Sequence, residues 1–141
     1  MADVNTYDAG QVAVIVGTRA ANGLAEGSFV KVRRDVEAFI KKAGADGEIT
    51  RSKTNNKGGQ IEITLDASSD FNDYLSELAA LDEATGNGIV SSSVVDRSGT
   101  TAVFARQSWI QKVAEIDMGR DSGERTWILD CGDIDIFIGG N

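Results

Sequence analysis

Short stretches of alternating apolar and polar residues run along most of the chain, and segments rich in glycine separate them. The alternation is clearest at residues 60–66 (QIEITLD), where three aliphatic side chains would face a core and the residues between them would face outward. Similar patterns predict further strands at residues 11–16, 28–34, 36–42, 89–95, 101–110, 112–118, 125–131 and 134–138. We therefore predict a mainly β protein.

One segment has helical spacing instead. Between Asp70 and Ala84, apolar residues recur every three or four positions and form a single stripe. Ser69 or Asp70 can cap its first turn, and Gly86 or Gly88 can end it. Strands on both sides of one helix predict an antiparallel β-sandwich or barrel with one flanking α-helix. The stripe consists of Phe71, Tyr74, Leu75, Leu78 and Leu81.

A long polar segment separates the strands predicted at 36–42 and 60–66. We predict that these two strands form a hairpin and that residues 43–59 extend from it as an arm. Ile49 is its only large apolar side chain, so the arm cannot form a core of its own. A flexible surface loop is the alternative interpretation. The arm residues expected to contact a neighbouring copy, through hinges or charges, are Gly44, Asp46, Glu48, Arg51, Lys53, Asn55, Asn56, Lys57 and Gly58.

Length and composition narrow the class of protein. With 141 residues, 41% of them hydrophobic, the chain suits a single domain at residues 1–141. No apolar run approaches the roughly 20 residues of a membrane helix, and the first ten residues lack the pattern of a secretory signal, so we expect synthesis in the cytoplasm. The chain has no proline to protect strand edges, which favours pairing between copies.

The chain offers little for catalysis. It has no histidine and one cysteine, Cys131, so the commonest general base, an internal disulfide and the usual zinc ligand sets are absent. Asp133 and Asp135 form a carboxylate pair without a third ligand, which favours a solvated strand face. The glycines at 17–23 and 86–88 do not lie at a strand-to-helix turn, where phosphate would bind. We predict no enzymatic activity, no metal and no cofactor.

Several segments resemble one protein family. They are YDAGQVAVIVG, GSFVKVRRD, FIKKAGADGEITRSKTNNKGGQIEITL, SWI and RTWILDCGDIDIFIGGN. Together they resemble the tail-tube proteins of contractile-tailed bacteriophages over nearly the whole chain, least at residues 85–104. The resemblance implies a β-sandwich with a flanking helix, six copies that close into a ring, and rings that stack into a hollow tube. In this family the long hairpin loop reaches the adjacent ring.

The resemblance also implies partners and a location. The partners are the tail sheath, baseplate and tail terminator proteins, with a tape measure protein in the lumen, and the location is the virion tail after assembly in the bacterial cytoplasm. DNA would pass through the tube into the host without specific binding. The tube of a pyocin or of a type VI-like injection system is an open alternative, since those tubes share the fold.

The net charge of −8 at pH 7 disfavours binding to phosphates. If this charge lines the lumen, DNA is repelled from its wall. We expect a cluster of basic residues to lie instead at the ring exterior or at a subunit seam, namely Lys31, Arg33, Arg34, Lys41 and Lys42. The candidate lumen carboxylates are Glu62, Asp117, Asp130 and Asp135.

Two other functions are alternatives to the tube. A β-barrel that binds a small ligand would be a monomer with an apolar cavity. An enzyme that uses carboxylates with a divalent metal would need a ligand cluster. Scattered acidic residues and the missing histidine disfavour the second.

Overall fold

A computed structural model describes residues 4–141, and residues 1–3, the start of the predicted domain, lie outside the described residues. The described chain contains a short 3-10 turn, Ala9–Gln11, and one α-helix, α1 (Phe71–Thr85). The prediction of a mainly β protein with one helix is confirmed. The strands are β1 (Val12–Val16), β2 (Arg19–Ala20), β3 (Val30–Arg34), β4 (Phe39–Ala43), β5 (Ile49–Lys53), β6 (Gly59–Asp66), β7 (Val90–Asp96), β8 (Ala102–Lys112) and β9 (Glu124–Phe137).

Seven strands form one antiparallel sheet in the order β2-β1-β7-β8-β9-β6-β3, while β4 and β5 form a separate hairpin. The sheet curls, so that Val12 on β1 and Val30 on β3 line one surface cleft although their strands are far apart in the sheet order. One cluster of buried side chains joins the inner faces of the strands to α1. The sheet and the helix therefore enclose a common core.

The two longest strands, β8 and β9, each carry one extra residue at the same level. Buried residues otherwise recur at every second position along these strands. At this level the next buried residue is three positions further on, Ser108 after Ala105 on β8 and Ile134 after Cys131 on β9. The pairing between the strands is irregular at this level. Extra residues of this kind are β-bulges, which bend a strand and increase its twist. This pair of bulges bends the middle of the sheet around the core.

Helix α1 covers one side of the core. Phe71 and Leu75 are fully buried, whereas Leu81 is 46% exposed, so the apolar stripe makes its main contacts in the first three turns. The Ser69 hydroxyl accepts a hydrogen bond from the backbone N–H of Phe71 at 3.2 Å. At the other end Gly86 has φ 76, a left-handed conformation that glycine adopts without strain. Of the predicted capping residues, Ser69 therefore bonds to the first turn and Gly86 ends the helix, whereas Asp70 occupies the N-cap position without a side-chain cap hydrogen bond.

Two side-chain hydrogen bonds join α1 to the sheet. The Tyr74 hydroxyl donates to the carbonyl oxygen of Val16 at 3.0 Å, on β1. The indole nitrogen of Trp127 donates to Oδ1 of Asn72 at 2.9 Å, on β9. These bonds attach the helix to strands in both halves of the sheet.

The predicted pairing of residues 36–42 with 60–66 is wrong. Strand β6 pairs with β3, which places Val30 opposite Ile63 and Val32 opposite Ile61. Both strands thus add an apolar face to the core. Residues 39–43 (FIKKA) have no such face, and they pair with 49–53 outside the main sheet.

Two other strand predictions differ from the structure. Residues 113–123 form a loop, so the strand predicted at 112–118 is wrong beyond Lys112. A register shift between Ile110 and Lys112 turns β8 away from β9 at this point. The strands predicted at 125–131 and 134–138 are one strand, β9, because the bulge changes its buried face without interrupting it.

Candidate assembly surfaces

The β4–β5 hairpin projects from the sheet with both of its faces exposed. Every residue from 35 to 53 is solvent-exposed. Its root is ordered, because the N–H of Asp35 donates to the carbonyl of Gly58 at 3.1 Å and the N–H of Thr54 donates to the carbonyl of Ala38 at 2.9 Å. An isolated two-stranded hairpin is only marginally stable in water. In a single copy, residues 39–53 are therefore not packed against the body on either face.

The hairpin differs in charge from the rest of the molecule. Its strands carry Lys41, Lys42, Arg51 and Lys53, and its tip carries Asp46 and Glu48, so residues 39–53 have a net charge of +2. The rest of the chain has a net charge of −10, which together with the hairpin gives the total of −8. A basic projection on an acidic body favours attraction between copies.

One face of the hairpin combines basic and apolar side chains. Cross-strand pairs bring Phe39 beside Lys53, Lys41 beside Arg51, and Ala43 beside Ile49 on this face. The Arg51 guanidinium lies 4.1 Å from the centre of the Phe39 ring, which is 40% exposed. Ile49 is 63% exposed. We call this surface the basic face of the hairpin.

The predicted arm residues fall into two groups. Gly44, Asp46 and Glu48 form the tip, where the N–H of Gly44 donates to the carbonyl of Glu48 at 2.8 Å. Arg51 and Lys53 lie on β5. The first group therefore projects with the hairpin.

The second group, residues 55–58, returns to the body of the protein. Asn55 has φ 58, and the N–H of Gly58 donates to Oδ1 of Asn56 at 2.9 Å. The ammonium group of Lys57 lies 3.1 Å from Oδ1 of Asp135. The projecting segment is thus residues 39–53, which begins and ends earlier in the chain than the predicted arm.

Three of the four candidate lumen carboxylates lie on one face of the sheet. Glu62, Asp130 and Asp135 project from the outer face, opposite the core, since the residues beside them on β6 and β9 are buried. Asp117 lies on the loop after β8 and is separate from them. The structure thus brings three of these residues to a common surface.

Basic side chains lie on this outer face as well. Lys31 is directly opposite Glu62 in the β3–β6 pairing, and Nη1 of Arg33 lies 3.4 Å from Oε2 of Glu62. Nη2 of Arg33 donates to Oε1 of Gln60 at 2.7 Å, and Nε2 of Gln60 donates to Oδ1 of Asp130 at 3.1 Å. Glu62 therefore cannot line a lumen from which Lys31 and Arg33 are excluded. The sequence predicts that Glu62 lines the lumen and that Lys31 and Arg33 lie at the ring exterior or a seam, and these two predictions cannot both hold.

The remaining basic residues of that predicted cluster lie elsewhere. Lys41 and Lys42 are on β4 of the hairpin. Arg34, at the end of β3, donates to the carbonyl oxygen of Ile134 at 2.8 Å. The five basic residues therefore lie in three places: on the outer face of the sheet, on the hairpin and at the end of β3.

Cys131 is a structural thiol. It is 4% exposed in the core, and burial, together with the negative charges of Asp130 and Asp35, raises the pKa of its thiol to about 11. Only the thiolate is a good nucleophile, and at pH 8 a thiol with this pKa is about 0.1% ionised. No nucleophilic role follows from this position.

We expect Cys131 to react slowly with iodoacetamide at pH 8 in the folded protein. The same residue should react at least about a hundredfold faster in urea, where its pKa returns towards about 8.5 and the side chain becomes accessible. Mass spectrometry of samples quenched over time would measure both rates. Equal rates in the two conditions would show that Cys131 is not buried.

Neither a metal centre nor a membrane span is found in the described part of the chain. In residues 4–141, no three acidic, cysteine or histidine side chains cluster so that they could hold a metal ion. Asp133 and Asp135 instead share Lys57, whose ammonium group lies 3.9 Å from the first and 3.1 Å from the second. The one described helix, α1, is too short and too polar to cross a membrane.

Comparison with known protein sequences identifies similar phage proteins. The family described as Bacteriophage PhiTE tail tube protein matches residues 4–139 of this chain. The chain is also 26% identical over 145 residues to a protein of Pseudomonas phage KPP10 named Structural protein ORF10. That match covers 97% of this chain and 84% of the phage protein.

Comparison with solved structures identifies similar folds at 10% identity. One is the anti-feeding prophage cap, a tube terminating cap, with a TM-score of 0.58 and coverage of 97% of this chain and 94% of that one. A second is the sheath/tube terminator of an extracellular contractile injection system, also at 0.58, covering 97% and 100%. The sheath-tube complex of such a system gives 0.53, covering 94% and 91%.

Proposed function

Because this chain belongs to the Bacteriophage PhiTE tail tube protein family, we propose that it forms hexameric rings that stack into the hollow tube of a phage tail. The family match spans nearly all of the chain and confirms the resemblance to phage tail-tube proteins. The protein is accordingly a structural component of the tail, and its predicted fold is confirmed by the solved structures it resembles. The exposed hairpin is the observation that supports self-assembly, because a two-stranded hairpin with both faces in water is only marginally stable and contact with another copy would cover it.

Ring closure uses the two ends of the main sheet. Strand β3 pairs with β6 on one side, and among the described residues no strand pairs with its other side. At the opposite end, β2 covers β1 only from Ile15 to Val16. Unpaired backbone groups at such edges are ready to bond to another copy, and closing a sheet across subunits satisfies them. A ring built in this way has a continuous β wall.

Ring stacking uses the hairpin. A hairpin that reaches the next ring makes a heterologous contact, in which different surfaces of the two copies meet. Contacts of this type do not close on themselves and produce a filament. Because the hairpin and the sheet edges are different parts of the molecule, rings and stacks form through separate interfaces.

In this proposal the outer face of the sheet lines the lumen around Glu62, Asp130 and Asp135, while the loop at 113–123 covers the end of this face at the rim of the ring. Two of the carboxylates there pair with basic side chains, Glu62 with Arg33 and Asp135 with Lys57, whereas Asp130 accepts a hydrogen bond from Gln60. A guanidinium or ammonium group that is already paired is less available to a phosphate. DNA would therefore pass without contacts that hold it, while Asp117, on the loop after β8, lies apart from this wall.

The proposed partners follow from the same role. They are the sheath around the tube, the terminator at its end, the baseplate, and a tape measure protein in the lumen, in a virion tail assembled in the bacterial cytoplasm. The protein acts without catalysis or a cofactor. A tube of a pyocin or another contractile injection system is the second candidate, because the similar solved structures come from such particles.

Electron microscopy of the purified protein tests the assembly. We expect concentrated protein in low salt to show rings with sixfold symmetry and hollow tubes, because both interfaces are present in one chain. Sedimentation would measure the fraction assembled. Protein that remains a monomer at every concentration would contradict the proposal and favour a binding protein instead.

A further inference from the structure

The loop at 113–123 folds over the start of β9 and forms a groove of about 620 Å³ on the surface. We call it the loop groove. Acidic and apolar side chains share it, with a single lysine at its edge. Its charged and apolar lining residues are Lys112, Val113, Glu115, Asp117, Glu124 and Ile128.

The carboxylates of the loop groove are exposed, and the guanidinium group of Arg125 nearby donates to the backbone carbonyl oxygens of Asp117 and Glu124 rather than to these carboxylates. Among the described residues, none of Glu115, Asp117 and Glu124 forms an ion pair, whereas Glu62 and Asp135 on the sheet do. Val113 beside them is 61% exposed. The groove thus presents unpaired negative charge next to uncovered apolar surface, which suits a basic partner with apolar side chains.

The loop groove and the hairpin lie at opposite ends of one strand. The hairpin leaves the sheet between the end of β3 and Gly59, the first residue of β6. The groove lies at the other end of β6, where Asp66 pairs with Glu124. Since a strand advances about 3.3 Å per residue, the eight residues of β6 separate the two surfaces by roughly 25 Å. Copies that join hairpin to groove would follow one another head to tail.

We infer that the hairpin of a second copy docks in the loop groove. The basic face of the hairpin then lies against the groove, so that Lys41, Arg51 and Lys53 approach its three carboxylates. Phe39 and Ile49 cover the apolar residues of the groove. This inference rests on the proposed function, and it identifies the surface that receives the hairpin.

Charge reversal on each surface tests the contact. The groove variant carries Glu115→Lys, Asp117→Lys and Glu124→Lys, and the hairpin variant carries Lys41→Glu, Arg51→Glu and Lys53→Glu. Either variant should lower the mass of sedimenting tubes at least about tenfold, because like charges then meet across the interface. The combined variant should restore most of the tubes, since the signs are complementary again.

A matched control makes the same change of charge elsewhere. Glu26→Lys, Glu77→Lys and Glu83→Lys replace three exposed acidic residues outside the groove and should leave tube formation within about twofold of the original protein. Normal tubes from the groove variant, or no rescue in the combined variant, would overturn the inference. The proposed function fails separately, if the unaltered protein forms no tubes.

Disulfide cross-linking gives a second measurement that does not depend on the triple variants. In a Cys131→Ala background, Arg51→Cys and Asp117→Cys should form disulfides between copies on mild oxidation, giving a ladder of oligomers on a non-reducing gel. The control pair is Arg51→Cys with Glu77→Cys. A ladder no stronger than that of the control would overturn the inference.

Discussion

Replacement of residues 39–53 by an Asn-Gly turn should give a folded subunit that no longer forms tubes. The N–H of Thr54 already donates to the carbonyl of Ala38 at 2.9 Å, so a two-residue turn can join the chain at this point. The removed residues are all exposed and contribute nothing to the core. We expect circular dichroism to report an unchanged sheet, and microscopy to show rings without stacks.

The result discriminates between two roles of the hairpin. Tubes of normal length from this variant would show that the hairpin is dispensable for stacking. Loss of the folded state would show instead that the hairpin stabilises the body, contrary to the core described above. Rings that persist without stacking would separate the two interfaces directly.

Leu75→Ala should lower the free energy of unfolding by about 2–5 kcal/mol. Leu75 is fully buried between α1 and the sheet, so the substitution removes buried apolar surface and leaves a cavity. A domain of this size is stable by about 5–15 kcal/mol in total. The loss is therefore a large fraction of the total, and the variant should assemble poorly at elevated temperature.

The matched control is Leu81→Ala, the same chemical change six residues along the same helix. Leu81 is 46% exposed, so we expect a loss of less than about 1 kcal/mol. Urea unfolding of the dispersed subunit, followed by circular dichroism, would measure both values. Equal losses would mean that the helix does not pack as described.

The elements that face the core could be predicted from the sequence, because burial leaves a periodic pattern. Ile61, Ile63 and Leu65 alternate on β6, and the apolar stripe of α1 recurs at helical spacing; both elements are present. Pairing could not be predicted in the same way. The β6–β9 contact joins residues more than 50 positions apart, and no local pattern records which apolar strands are neighbours.

The candidate surfaces were harder to predict for a related reason. The hairpin is exposed on both faces, so residues 39–53 have no burial period to mark their strands. Alternation along the strands predicts the side of the sheet on which Glu62 and Asp135 lie. It does not predict which basic side chains form ion pairs with them. Arg33 and Lys57 approach them through pairing of distant strands. The loop groove does not follow from the sequence, because the alternation at residues 112–118 predicts a strand where the chain forms a loop after Lys112.

The paired bulges in β8 and β9 constrain how relatives of this protein can diverge in length. Loss of the extra residue near Gln107 alone would leave every later side chain of β8 one position out of step with β9. Loss of the matching residue near Gly132 as well would restore the register between the two strands, but the sheet would lose the bend that the bulges produce. Insertions and deletions at these two positions should therefore be inherited together among relatives of this protein.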